Sequence, residues 1–279
     1  MRLKNTCILL LLSIALFGLT PDEGDKLFHI PARTIESSKL IGDNEFYWVE
    51  KEMSGFEISS FVTYAQYKIY LREIKADSSA FFYQTQQPDS GMCRKVIYEK
   101  YVIGTKYDNY PVLGISWNAA MNYCKWRTLR ESKDSLVYMY CLPTCSQWLD
   151  AYDYLKNTGG KGDFNKDYSD WLLNSKGDSS GLDNVLKFQN TFNKKDSTFI
   201  SDYIHLELKK KLVIGDSYLF KQEKLMDYKK YDYYSNHGYR QIGFRFIRHK
   251  IKRNTQGNNN IDKQDAEVLK YWGLYKTFK

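Results

Sequence analysis

The sequence predicts an α+β fold made of short, irregular antiparallel strands, a few helices and much loop. Three observations lead there. The 279 residues include 24 Tyr and 6 Trp, and 43% are hydrophobic, so a large aromatic-rich core is available. Extended and helical patterns alternate along the chain in short pieces, which disfavours a simple helical bundle. No segment repeats at a fixed period.

The elements follow in order. Leu27 to Ala32 reads as an extended entry strand. Phe46-Tyr47-Trp48-Val49 is aromatic and β-branched, and Phe56-Glu57-Ile58 alternates apolar with polar; both suit short strands. Thr63 and Gln66 have capping-box spacing, which satisfies two helix-end donors reciprocally. Tyr67, Tyr70, Leu71 and Ile74 then recur at helical spacing. Gln84 to Gly91 is polar, contains Pro88 and reads as loop. Tyr110 to Ser116 reads as a buried strand turning sharply into a helix. Ser116 is its N-cap, and Trp117, Ala120, Met121 and Cys124 share one face. Val137 to Leu142 is a strand. Thr144 and Gln147 repeat the capping-box spacing, so a helix should run on through Trp148, Ala151 and Leu155. Asn157 to Asp196 is rich in Gly, Asn, Asp, Ser and Lys and reads as a long loop. Leu212-Val213-Ile214 and Phe244 to Ile247 are late strands. Arg253 to Lys263 is polar, and Ala266 to Phe278 has the pattern of a terminal amphipathic helix. The expected layout is a leader at 1–20, a domain at 27–250 and a polar tail with a terminal helix at 251–279.

The leader rests on Arg2 and Lys4 ahead of an apolar run from Cys7 to Leu19. That run is short for a bilayer span and suits a signal-peptide core. Ser13-Ile14-Ala15 offers small residues for cleavage; Gly18 and Thr20 are alternative ends, and an uncleaved anchor is the competing reading. Export would place the protein in the periplasm or cell envelope. Cys7 precedes the apolar run instead of closing it, unlike a lipid-attachment cysteine. Cys93, Cys124, Cys141 and Cys145 would remain, in a compartment that permits disulfides, with the pairing left open. Cys124 lies on an apolar helix face and is expected to be a buried free thiol.

The net charge is +8. Its densest clusters are Lys209-Lys210-Lys211 and Arg248 to Arg253, and elsewhere Lys and Arg interleave with Asp and Glu. This is the pattern of a solvated basic surface, and nucleic acid is not an expected partner. Peripheral attraction to an anionic membrane, or to an acidic partner, stays open.

Several motifs, in one order, carry a family resemblance. Ile30-Pro31-Ala32-Arg33-Thr34 resembles I-P-A-G-T. Phe56-Glu57-Ile58 with Val62-Thr63 and Tyr67 resembles F-x-I/M with V-T-x-x-x-Y. Leu142-Pro143-Thr144 through Trp148 resembles R-L-P-T-E-A-E-W. Gly215-Asp216-Ser217-Tyr218 resembles G-G-S-W/Y, and Ile242-Gly243-Phe244-Arg245 resembles I-G-F-R. Together with the run from Tyr110 to Thr128, these motifs resemble the formylglycine-generating enzyme, or sulfatase-modifying factor, family over residues 28–250. The resemblance implies that family's α+β fold, a variant of the C-type lectin fold. Gln87-Pro88-Asp89, Tyr107 to Val112 and Cys124 to Thr128 are most similar to the gliding-motility and type IX secretion lipoproteins with this fold. Those are structural parts of an envelope machine.

The enzymes of the family are copper-dependent oxidases that convert a substrate cysteine to formylglycine. Soft Cu(I) prefers thiolate ligands. The family supplies two cysteines, spaced G-G-S-W/Y-x-C-x-x-x-x-C. Counted from Gly215, their places are taken here by Phe220 and Leu225, and no cysteine lies anywhere between Gly215 and Lys250. The Arg of R-L-P-T is Cys141, its first Glu is Cys145 and its second is Gln147. The G-N-V-W-E-W segment is not evident; 181–184 and 199–203 are the places to look for its remains. The resemblance also implies calcium ligands in that middle region, where Asp178, Asp183 and Asn184 offer oxygen donors. No other cofactor is expected.

Two functions compete. In the first the chain is a non-catalytic envelope protein that binds another protein or a glycan. Loop 157–196 and the cluster Tyr228, Tyr231, Tyr233 and Tyr234 are its candidate contact surfaces, since tyrosine combines a large ring with a polar tip. Core packing is the alternative role for those rings. In the second the chain is an oxidoreductase with a relocated thiol or metal centre at Cys141 and Cys145. A first-turn position at Cys145 would favour the thiolate, while a structural disulfide or two buried thiols is the plainer reading. His29, His205, His237 and His249 stand too far apart for a ligand cluster. No phosphate loop, zinc pattern or nucleophile triad is present.

Overall fold

The computed structural model describes residues 26–41, 45–92, 98–131, 138–159, 169–175, 210–214, 231–251 and 263–274. The chain opens with β1 (Leu27–Ile30). Pro31 and Ala32 break the entry segment, so the single expected strand becomes β1 followed by a separate β2 (Arg33–Ile41). β2 pairs antiparallel with β3 (Glu45–Met53) along its whole length, from Arg33 opposite Met53 to Ile41 opposite Glu45. β4 (Phe56–Ser59) returns to pair with β1.

The first four-stranded sheet runs β1-β4-β10-β5, with β5 at Tyr138–Cys141 and β10 at Ile247–Lys250. A second runs β8-β7-β6-β9, with β6 at Ser169–Ser175, β7 at Lys210–Ile214, β8 at Tyr231–Tyr234 and β9 at Ile242–Gly243. All its pairs are antiparallel except β6 with β9. β6 lies inside the stretch expected to be loop. Gly, Asn, Asp, Ser and Lys make up most of that stretch, but Trp171-Leu172-Leu173 is a fully apolar triplet, and all three residues are buried.

Five helices join the sheets among the described residues. α1 (Tyr64–Asp77) and α4 (Cys145–Asn157) each begin with the capping box their sequences predict, Thr63 with Gln66 and Thr144 with Gln147. α2 (Ala80–Thr85) and a π-helical turn at Glu99–Ile103 have no clear sequence signal. α3 (Trp117–Glu131) starts at Ser116, whose hydroxyl accepts from the Ala119 N–H at 3.1 Å. α5 (Lys263–Tyr271) begins three residues before the expected start at Ala266. It belongs to the core: Val268 and Leu269 are fully buried, the Tyr271 ring meets that of Trp117 at a tilt, and the α3 residue Lys125 donates to the Trp272 carbonyl at 2.9 Å. His249 on β10 contacts Asp265 at 2.7 Å and closes the same joint.

The core is aromatic, as the composition predicts. Tyr123 on α3 stacks on Tyr67 at 5.7 Å and meets Tyr70, Trp126 and Phe244 within 5.6 Å. Burying these hydroxyls requires acceptors. Tyr67 donates to the Gln86 carbonyl at 2.7 Å and Tyr70 to its side-chain oxygen at 2.9 Å. Gly114 (φ 76°) turns the chain into α3 in the left-handed region that glycine favours. The Gly238 backbone lies so close that a β-carbon there would stand 1.8 Å from the Gly114 carbonyl oxygen. The apex of the turn is therefore locked against the loop that leads into β9.

Candidate functional site

Three places bear on function: the polar centre beneath the second sheet, the cysteines around the start of α4, and an open groove beside α1.

The polar centre joins residues from three separate motifs. Asp170 on β6 accepts from the Arg245 Nε at 2.7 Å and from the Trp148 Nε1 at 2.8 Å, both through Oδ2. All three side chains are buried. Arg245 comes from the I-G-F-R-like segment, and its guanidinium also covers the Phe61 ring at 4.4 Å. Trp148 comes from the L-P-T-like segment. Burial holds the Asp170 carboxyl above the usual carboxylate range, against the opposing pull of Arg245 and the indole N–H. Its Oδ1 has no hydrogen-bond partner among the described residues, which fits incomplete compensation. Close by, Trp117 donates through Nε1 to the Leu172 carbonyl at 2.8 Å, and the buried Lys211 ammonium lies 4.3 Å from its ring centre. Trp171 donates to the Ile115 carbonyl at 2.7 Å. This centre ties β6 to α3, α4 and the segment after β9, so it acts as a scaffold joint.

Asp170 and Trp171 are absent from the sequence-level candidates. The signal that finds them is an acidic residue followed by a Trp-Leu-Leu run, between the L-P-T-like and G-G-S-like segments. The two places considered for that missing segment, 181–184 and 199–203, lie outside the described residues. So do the candidate oxygen donors Asp178, Asp183 and Asn184, the positions Phe220 and Leu225, the residue Tyr228, and the leader at 1–20.

The cysteines sit apart in character. Cys141 ends β5 and Cys145 opens α4, placed there by the turn at Pro143 and Thr144. Cys124, Cys141 and Cys145 are free thiols. Cys124 and Cys141 are fully buried. Burial pushes both thiols up, and for Cys141 the neighbouring Cys124 and Asp265 push in the same direction. A buried thiol of raised pKa is a poor nucleophile and a poor metal ligand. Cys145 is half-buried. Brief alkylation of the native protein followed by peptide mass mapping is therefore expected to modify Cys145 and to spare Cys124 and Cys141 until denaturant is added. Equal labelling of Cys141 and Cys145 in the native state would contradict this placement. Among the described residues no group of three His, Cys, Asp or Glu side chains is arranged to hold a metal ion.

Of the tyrosine cluster, Tyr231, Tyr233 and Tyr234 lie on β8, an edge strand, opposite Val213, Lys211 and Lys210 of β7.

The groove runs between α1 and residues 98–108 and encloses about 1040 Å³. Ile69, Val102, Ile103 and Pro88 contribute apolar surface, while Lys68, Arg72 and Lys75 line it from one face of α1. Lys68 reaches across to the Gly104 carbonyl at 2.6 Å and to Asp108 at 2.5 Å, and so pins the far wall. The π-helical turn of that wall closes through the Gly104 N–H on the Glu99 carbonyl at 3.0 Å. A β-carbon at Gly104 would stand 2.8 Å from the Lys100 carbonyl oxygen, so the turn depends on glycine.

Comparison with known proteins agrees with this architecture. A sulfatase-modifying factor enzyme 1-like domain model matches residues 24–201. Among solved structures, the one described as the crystal structure of CarF aligns with a TM-score of 0.50 at 13% identity, covering 81% of this chain and 98% of that one. Treponema denticola variable protein 1 aligns with a TM-score of 0.45 at 11% identity, covering 79% of this chain and 94% of that one. A search of curated proteins finds no match. With its motif order, its α+β architecture and a domain match over more than half its length, the chain belongs to the sulfatase-modifying factor enzyme 1-like domain family.

Proposed function

We propose that the protein is an exported, non-catalytic member of this family that binds a protein or glycan of the cell envelope, as a structural component of a gliding or secretion machine. One observation carries the reading. At the two positions where the family's enzymes place copper-binding thiols, this sequence has Phe220 and Leu225. Neither a benzyl nor an isobutyl group donates an electron pair to Cu(I). The burial of Cys124 and Cys141 supports it, because neither thiol is poised to substitute. The run Arg2 to Leu19 supports export, and the segments 87–89, 107–112 and 124–128 support the link to envelope machinery.

The direct test measures copper in the purified protein after Cu(I) loading, together with oxygen uptake on a cysteine-containing peptide. The expected result is substoichiometric copper and no uptake above the peptide alone. Stoichiometric copper with turnover that disappears in Cys141→Ser would overturn the reading in favour of a relocated oxidase centre at Cys141 and Cys145. Crosslinking in the native envelope tests the second half. Recovery of secretion or motility components is expected, and recovery of sulfatases alone would contradict it.

A further inference from the structure

The groove beside α1 has a charge asymmetry that its fold does not require. α1 carries Glu73 and Asp77 as well as Lys68, Arg72 and Lys75, and neither of those carboxylates lines the groove. Glu73 turns toward α3, where it accepts from the Trp126 Nε1 at 2.7 Å and lies 3.8 Å from Arg130. The three cations face the groove, joined at its end by Lys26. Among the described residues Asp108 is the one carboxylate lining it, and Lys68 already engages that group. Arg72 and Lys75 are exposed. Among the described residues Arg72 has no acidic partner, and Lys75 meets only the Tyr83 ring, at 5.7 Å. Alongside this unneutralised pair lies apolar surface, including Ile103, which is 70% exposed. Exposed aliphatic surface beside uncompensated cations is characteristic of a recognition surface.

We propose that this groove docks an extended acidic segment of a partner protein, with an apolar side chain of that segment seated against Ile69, Val102 and Ile103 and its carboxylates facing Arg72 and Lys75. The proposal deepens the binding reading above and rests on it by naming the site and the class of partner. Lys68 is a positioning residue: it builds the wall, while Arg72 and Lys75 read the charge. Apolar contact sets the position of the segment. Charge complementarity selects acidic over basic sequences and makes binding sensitive to salt.

Fluorescence anisotropy tests it with a short labelled peptide in which Asp and Glu flank a Leu-Phe pair. Its Asn and Gln counterpart, and heparin, serve as competing probes. The acidic peptide is expected to bind, to weaken as salt rises, and to lose about tenfold in affinity in the Arg72→Glu/Lys75→Glu variant. Both substitutions are at exposed positions, so the circular dichroism spectrum should not change. Lys156→Glu, an exposed charge change on α4, should leave binding intact. The proposal is overturned by no binding, by equal affinity for the Asn and Gln peptide, or by indifference to the double substitution. Preference for heparin would overturn it in favour of an anionic glycan. A protein that oxidises cysteine peptides yet binds the acidic peptide would refute the non-catalytic reading and leave the groove standing. A catalytically silent protein that ignores the peptide would refute the groove alone.

Discussion

Arg245→Met is expected to destabilise the protein by about 3–5 kcal/mol at neutral pH, measured by urea denaturation. The substitution keeps the volume and removes the charge, leaving the Asp170 carboxylate buried with only the Trp148 indole as donor. The pH dependence follows from the direction of the Asp170 shift. Its pKa is raised in the folded state, so its contribution to stability is fully present below the ordinary carboxylate range and is lost as pH rises through the folded value. Without Arg245 the folded value climbs further. The deficit of the variant should therefore shrink as pH is lowered toward about 4, where the carboxyl can be neutral in both states. A deficit independent of pH would show that Arg245 stabilises by packing on Phe61 alone. The double variant Asp170→Leu/Arg245→Met should recover much of the loss, because an apolar pair of similar volume often replaces a buried ion pair at little cost. It should fall short by about 1–3 kcal/mol for the Trp148 N–H left without its acceptor.

Trp117→Ala is expected to cost about 3–5 kcal/mol, the range for deleting a fully buried large aromatic. Trp117 joins α3 to α5, β6 and β7. Its ring meets Tyr271 at 5.9 Å and Lys211 at 4.3 Å, and its N–H serves the Leu172 carbonyl. Trp117→Phe separates these contributions. It retains most of the packing and loses the hydrogen bond, so a cost of about 1–2 kcal/mol is expected. If Phe and Ala were equally damaging, the hydrogen bond to β6 would be the dominant contribution and the cavity argument would fail.

Local chemistry was legible in the sequence, and long-range pairing was not. The caps at Thr63, Ser116 and Thr144 lie within a few residues of the donors they satisfy, so spacing alone reveals them. The apolar face of α3 is equally local. β6 escaped because its identity depends on partners far along the chain: Ser169 and Asp170 pair with Ile242 and Gly243, and the surrounding composition is that of a loop. α2 escaped because a six-residue helix has too few turns to show a period, and it buries no residue fully. At the candidate site, reading the motifs found Trp148 and Arg245 but not the carboxylate between them. A lone Asp in a polar stretch looks like any solvated Asp until the strand carries it inside. The groove was invisible for a related reason. Lys68, Arg72 and Lys75 read as ordinary solvated charges, and only the far wall at 98–108 makes them face a common space.

The position of β10 between β4 and β5 has a consequence for synthesis. Arg248 meets Glu57 at 2.7 Å across 191 residues of sequence, so the centre of the first sheet is missing until that late strand leaves the ribosome. Contacts this distant close slowly, so β5 lacks its partner among the described strands until then, while β1 can already pair with β4 and β2 with β3. The first sheet is therefore completed only after nearly all of the chain has been synthesised.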